Sequence, residues 1–193
     1  MRRTVRGRKE VTHERIVEAA GRAIRRSGYA GTSVADIMKD AGLTHGGFYA
    51  HFSSREAMLA EAADHAGAEG VAAAARIAAE APPEHALREL ARAYLSKAHV
   101  DAAETGCAVA ALCSEMPRQA PEVRRAATRR IKEMIDVVAR QSPDWGQRGA
   151  HERALATVAM LVGALQLARA VDDPRLSAAL RAAALKQIAP SGS

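Results

Sequence analysis

The polar residues that gather most densely in this chain are hydrogen-bond donors, not the paired groups of a catalytic centre. Between positions 32 and 55 stand Thr32, Ser33, Thr44, His45, Tyr49, His51 and Arg55. Hydroxyls, imidazoles and a guanidinium at a helix start can hold phosphate oxygens or base edges. The whole chain has seven histidines and two cysteines, yet no HExxH, GxSxG, Walker or zinc-ligand spacing. Cys107 and Cys113 form neither a metal pair nor a disulfide framework. An enzyme would have to rest on Cys107 paired with a distant histidine. The reading is therefore of no catalytic centre, no metal and no cofactor.

Two short helices must present these donors. Val34, Ile37, Met38 and Ala41 fall at i, i+3, i+4, i+7, the spacing of one buried helical face. Ser33 precedes that face as a cap, with Asp36 in the first turn where the helix dipole favours an acid. Gly42 ends the helix in the left-handed conformation. Thr44 then caps a second short helix carrying Phe48, Tyr49 and Phe52 as an aromatic edge. Two helices joined by a tight glycine turn are a helix-turn-helix, which lays its second helix in the major groove.

The residue order is more specific than the periodicity. Thr32, Ser33, Ile37, Ala41, Gly42, Leu43, Thr44, Gly46, Tyr49, His51, Phe52, Ser54, Arg55, Glu56 and Leu59 follow one another at family spacing. This run resembles the DNA-binding domain of the tetracycline-repressor (TetR/AcrR) family of transcriptional regulators, over roughly residues 11–60. The resemblance implies an all-α protein: an N-terminal three-helix domain with a helix-turn-helix, and a C-terminal helical domain for ligand binding and dimerisation. It places phosphate contacts at Thr44, Tyr49 and His51, to which Thr32, Ser33 and Arg55 add contacts from the flanking helix starts. His45 departs from the lysine or arginine common in relatives and is the candidate base reader. Gly46 lets the backbone approach DNA closely, and the Gly46-Gly47 pair leaves the helix partly ordered by DNA.

Charge agrees. Residues 1–60 hold 11 Lys/Arg against 6 Asp/Glu, while the other 133 hold 17 against 16, so most of the net +6 lies beside the motif. Arg2, Arg3, Arg6, Arg8 and Lys9 read as a basic arm ahead of a first helix capped by Thr12. That N-terminus lacks the apolar run of a signal peptide, and the longest apolar stretches are interrupted before the ~20 residues of a span. A cytoplasmic protein without membrane contact is expected.

The domains expected are 1–60, helix-turn-helix and arm, and 61–193, ligand binding and dimerisation. A helix from Ser54 to Ala81, stopped by Pro82-Pro83, links them. Further helices are expected at 84–100, 107–116, 121–141, 152–171 and 174–188. Val158, Ala159, Leu161, Val162, Gly163, Leu165 and Leu167 leave little polar face on the penultimate one. The resemblance implies a four-helix homodimer interface from 151–171 and 174–188, hence double-stranded DNA with a palindromic operator as partner. It also implies a small-molecule effector in the second domain, where the larger or softer side chains are Tyr94, His99, Cys107, Met116, Met134 and Trp145. Inert core filling is the ordinary role of such residues, and a thiol sensor at Cys107 or Cys113 is a further reading. The competing function is a helical module that binds a small molecule or partner without DNA.

Overall fold

The computed structural model describes residues 7–142 and 145–189. Among them every regular element is helical: α1 (Arg8–Ser27), α2 (Val34–Asp40), a 3-10 helix (His45–Ala50), α3 (Arg55–Glu80), α4 (Ala86–Tyr94), α5 (Lys97–Asp101), α6 (Ala108–Leu112), α7 (Pro121–Arg140), α8 (Ala150–Ala170) and α9 (Pro174–Ile188). Short 3-10 turns precede α4 and α7 at Pro83–His85 and Met116–Arg118.

The caps legible in the sequence form. Ser33 Oγ accepts from the Asp36 amide at 3.1 Å, Ser54 Oγ from the Ala57 amide at 3.0 Å, and Asp173 Oδ1 from the Arg175 and Leu176 amides. Gly42 has φ +69°, the left-handed turn that closes α2.

Two apolar cores stack along α3. In the first, Ile16, Ala20 and Ile24 of α1 meet Ile37 and Met38 of α2, Phe48, Phe52, and Met58, Leu59 and Ala62 of α3. Leu112 of α6 and Val123 of α7 enter this same core, so the later helices already pack against the N-terminal unit. In the second, Ala74 and Ala78 of α3 meet Leu90, Tyr94, Val138, Val158, Leu161 and Leu165. Each fully buried Leu or Ile contributes roughly 1.5–3 kcal/mol. A junction at residues 60 and 61 falls inside α3, which runs unbroken past it.

Several expectations are corrected. α1 starts at Arg8, ahead of Thr12, whose hydroxyl donates to Arg8 O from within the helix. The Glu10 carboxylate reaches back to the Gly7 amide at 3.1 Å, so capping from Glu10 moves the start forward. Arg8 and Lys9 are thus the first turn of α1, not an arm; Arg2, Arg3 and Arg6 lie outside the described residues. The stretch 84–100 breaks at Leu95–Ser96, where Ser96 Oγ caps α5 through the His99 amide. The 107–116 helix shortens to α6, with Cys107 as its N-cap.

In α8 the apolar run is interrupted as expected, Arg153 and Arg169 bracketing residues 154–168. By length and composition alone α8, with 21 residues, is still long and apolar enough to cross a membrane: an 18-residue window within it has a mean hydropathy of 1.3, and 28% of that window is buried. One side of α8, Val158, Leu161 and Leu165, faces the core; the other leaves Leu155, Met160 and Leu167 exposed.

Candidate functional site

The second helix of the motif is a six-residue 3-10 helix rather than an α-helix. The Gly47 amide bonds Thr44 O at 3.1 Å and the His51 amide bonds Phe48 O at 2.9 Å. Gly46-Gly47 explains this: each glycine disfavours an α-helix by about 1 kcal/mol, and the segment is too short to recover it. Phe48 and Phe52 anchor it, both buried, with ring centroids 5.6 Å apart.

With those rings inward, Thr44, His45, Gly46 and Tyr49 all face outward. Tyr49 is 75% exposed, its ring set edge-on to Phe48 at 5.1 Å. Thr44 makes no side-chain cap, contrary to expectation, which leaves its hydroxyl on the outer surface. A Cβ at Gly46 would meet nothing within 4 Å, so this stretch of backbone lies open to close approach. Ser33 caps α2 and remains exposed beside it.

His51 is half-buried, with Nδ1 enclosed and unbonded. Burial of the ring, then the nearby His13 and Lys9 charges, lowers its pKa. It is neutral near pH 7 and brings no positive charge to a phosphate. His13 stacks on Phe52 at 4.5 Å and pairs with Glu61 at 2.6 Å, binding α1 to α3 behind the 3-10 helix.

Thr32 and Arg55 are engaged internally, which revises their expected phosphate contacts. Thr32 is 5% exposed and its hydroxyl donates to Gly28 O at 2.6 Å. Arg55 Nη2 donates to Tyr29 O and Thr32 O. From the far side Glu115 Oε2 accepts the Tyr29 and Ala30 amides at 3.0 and 3.4 Å. The turn between α1 and α2 is therefore held by α3 and by the segment after α6. Arg15 adds a bond to Ala41 O at 2.6 Å. Sequence reasoning missed Glu115 and Arg15; nothing local marks Glu115, which lies 86 residues from Tyr29.

A cavity of about 710 Å³ opens between α1, α3, α4, α5 and α7. Four of the six effector candidates, Tyr94, His99, Cys107 and Met134, line it. The other two do not: Met116 packs against the first core, and Trp145 sits 54% exposed in the loop before α8. Of the two free thiols, Cys107 is buried and Cys113 exposed. His99 is a brace, its Nδ1 2.7 Å from Tyr94 O and its Nε2 accepting from the Cys107 amide at 3.0 Å. Those partners define the tautomer, with the proton on Nδ1. Burial depresses the His99 pKa; the bond to Tyr94 O opposes this and Arg169 adds to it. Burial, and then the Cys107 thiol beside it, pushes the Tyr94 hydroxyl well up, so it remains a protonated donor. The wall also includes Arg22, Arg25 and Glu18 from α1, none of which the sequence marks as ligand-facing.

Residues 10–62 match the family described as bacterial regulatory proteins, tetR family, and residues 83–184 match the LmrA/YxaF-like transcriptional regulator C-terminal domain. The chain belongs to the TetR family. It is a DNA-binding transcriptional regulator and not an enzyme. The regulator YerO of Bacillus subtilis is 36% identical over 52 residues, a stretch covering 27% of this chain and 18% of that protein's length. Reduced NemR of E. coli shares the fold at a TM-score of 0.79 and 17% identity, covering 93% of this chain and 95% of that one. A TetR-family regulator from Agrobacterium tumefaciens superposes with a TM-score of 0.77 and 23% identity, covering 93% and 98%.

Proposed function

We propose that this TetR-family protein is a ligand-released repressor that binds a palindromic operator as a homodimer in the cytoplasm. Residues 1–60 form the DNA-binding domain and 61–193 the ligand-binding and dimerisation domain. The observation that carries the reading is the outward face of the 3-10 helix, where Thr44, His45, Gly46 and Tyr49 stand clear of the core while Phe48 and Phe52 fix it from behind. Tyr49 and Thr44 grip phosphates, Ser33 and His51 flank them as neutral donors, and His45 reads a base edge. Thr32 and Arg55 act on DNA indirectly, by fixing the turn that sets the angle of α2.

Dimerisation uses the outer faces of α8 and α9. Leu155, Ala159, Met160, Gly163 and Leu167 line one, and Leu176, Ala179 and Ala183 the other. A Cβ at Gly163 would meet nothing within 4 Å, which lets a second backbone come close. A two-fold pair presents two recognition segments to half-sites about 34 Å apart.

The test is footprinting and binding on DNA upstream of the protein's own gene, at rising salt. Sequence preference with a steep salt slope supports the reading; no binding at low salt replaces it with a helical module that does not touch DNA. His45→Ala is expected to lose discrimination between operator and random DNA. Equal loss on both would remove His45 as base reader.

A further inference from the structure

The cavity described above is not confined to the second domain. Arg25 of α1 forms part of its wall, with a side chain only 4% exposed. Its Nη1 pairs with Glu69 of α3 at 2.9 Å, and its Nε is buried with no hydrogen-bond partner. Tyr94, at 9% exposure, brings a second enclosed polar atom, a hydroxyl beside the weakly bonding Cys107 thiol and with no oxygen or nitrogen partner. Behind it, Nη1 of Arg169 is likewise enclosed and unpartnered. Leaving such groups unpaired is costly, and two of the three can only donate.

The acceptors do not balance them. Glu69 is shared between Arg25 and His65, the latter at 3.4 Å. Glu18 and Arg22 both lie exposed at the rim, where water screens them and their charges cancel. Between the polar ends the wall is apolar, with Ile77, Leu90 and Met134. A cationic ligand would set its charge against Arg25, with only the exposed Glu18, beside Arg22 at the rim, as a further carboxylate. An anionic one supplies what the buried donors lack.

We infer that the effector is a small organic acid with an apolar body, whose carboxylate competes with Glu69 for Arg25 and whose far end offers an acceptor to the Tyr94 hydroxyl. The inference rests on the effector-released reading above and adds its chemistry. It also gives the release step a contact. The Arg25–Glu69 pair ties the first helix of the DNA-binding unit to the connecting helix, so an acid that takes Arg25 loosens α1 from α3 directly.

Calorimetric titration of the full chain with phenylbutyrate, its primary amide and phenylbutylamine tests the charge. The acid should bind roughly tenfold or more tighter than either analogue, the scale of one charge-assisted hydrogen bond. Glu69→Gln keeps Arg25 in place and weakens its internal competitor, so acid affinity should rise about tenfold. Tyr94→Phe should erase the advantage of methoxyphenylbutyrate over phenylbutyrate while leaving phenylbutyrate unchanged. Absence of acid binding, equal binding by the amine, or unchanged acid affinity in Glu69→Gln overturns the inference. DNA release is read separately. An acid that binds, and binds tighter to Glu69→Gln, yet leaves the operator complex intact supports the ligand class and rejects ligand release. An amine that alone releases DNA rejects the ligand class and keeps ligand release.

Discussion

Arg55→Ala separates a residue that touches DNA from one that holds the surface touching it. In the structure Nη2 of Arg55 donates to Tyr29 O and Thr32 O, closing the α1–α2 turn from the start of α3. A hydrogen bond from a charged group contributes about 1.5–3 kcal/mol when buried. Arg55 is only half-buried and solvent screens it, so the two bonds together are discounted to about 1–3 kcal/mol. For a chain of this size each kcal/mol moves Tm by about 2–4 °C. Thermal unfolding of Arg55→Ala should therefore fall by several degrees. Operator affinity should drop as the turn loosens, but the slope of log K against log salt should stay at the wild-type value. A phosphate contact behaves oppositely: its loss lowers that slope by about 0.9 and leaves Tm alone. Unchanged Tm with a shallower slope would refute the internal role given to this guanidinium.

Tyr49→Ala should show the reverse pattern. With 75% of the residue exposed its removal leaves Tm within about 2 °C, since surface changes stay near ±0.5 kcal/mol, while operator and random DNA weaken together. Leu167→Asp places a charge on the exposed apolar side of α8, where Leu167 is 54% exposed, and should convert dimer to monomer in analytical ultracentrifugation. Persistent dimers at micromolar protein would move the interface elsewhere. His99 and His51 both have pKa values lowered from 6.5 by burial, so the folded state resists their protonation. Their contribution is whole above pH 6.5 and is lost as pH falls from there through the depressed folded values. Urea midpoints should drop between pH 7.5 and 5.5, and His99→Gln should flatten that dependence.

Much of this architecture is written in short stretches of chain. Ser33, Asp36 and Gly42 mark α2 because each acts on backbone groups within a few residues. Pro82 and Asp173-Pro174 bound α3 and α9 for the same reason, and those ends agree with the sequence reading to within a residue. The DNA-facing role of Thr44, His45 and Tyr49 comes from the family resemblance; periodicity groups Tyr49 with Phe48 and Phe52 as one aromatic edge, and the fold buries the two phenylalanines but leaves Tyr49 75% exposed. Where two local preferences compete, the reading falters. Two glycines in six residues turned the expected α-helix into a 3-10 helix, and Glu10 moved the start of α1 ahead of Thr12.

Contacts between distant residues leave no such trace. Glu115 over the Tyr29 amide, Arg55 under Thr32 O and Arg25 against Glu69 join residues 86, 23 and 44 positions apart. A carboxylate or guanidinium has the same local propensity whether it meets water or a buried carbonyl, so only the packing of α1, α3 and α6 assigns these partners. Sequence alone thus determined the helical class and the motif, through caps, glycine and periodicity acting at close range. The tertiary structure decided which donors remain for DNA, which are consumed in holding the turn, and that the cavity reaches α1, because those outcomes depend on chain segments that meet only after folding.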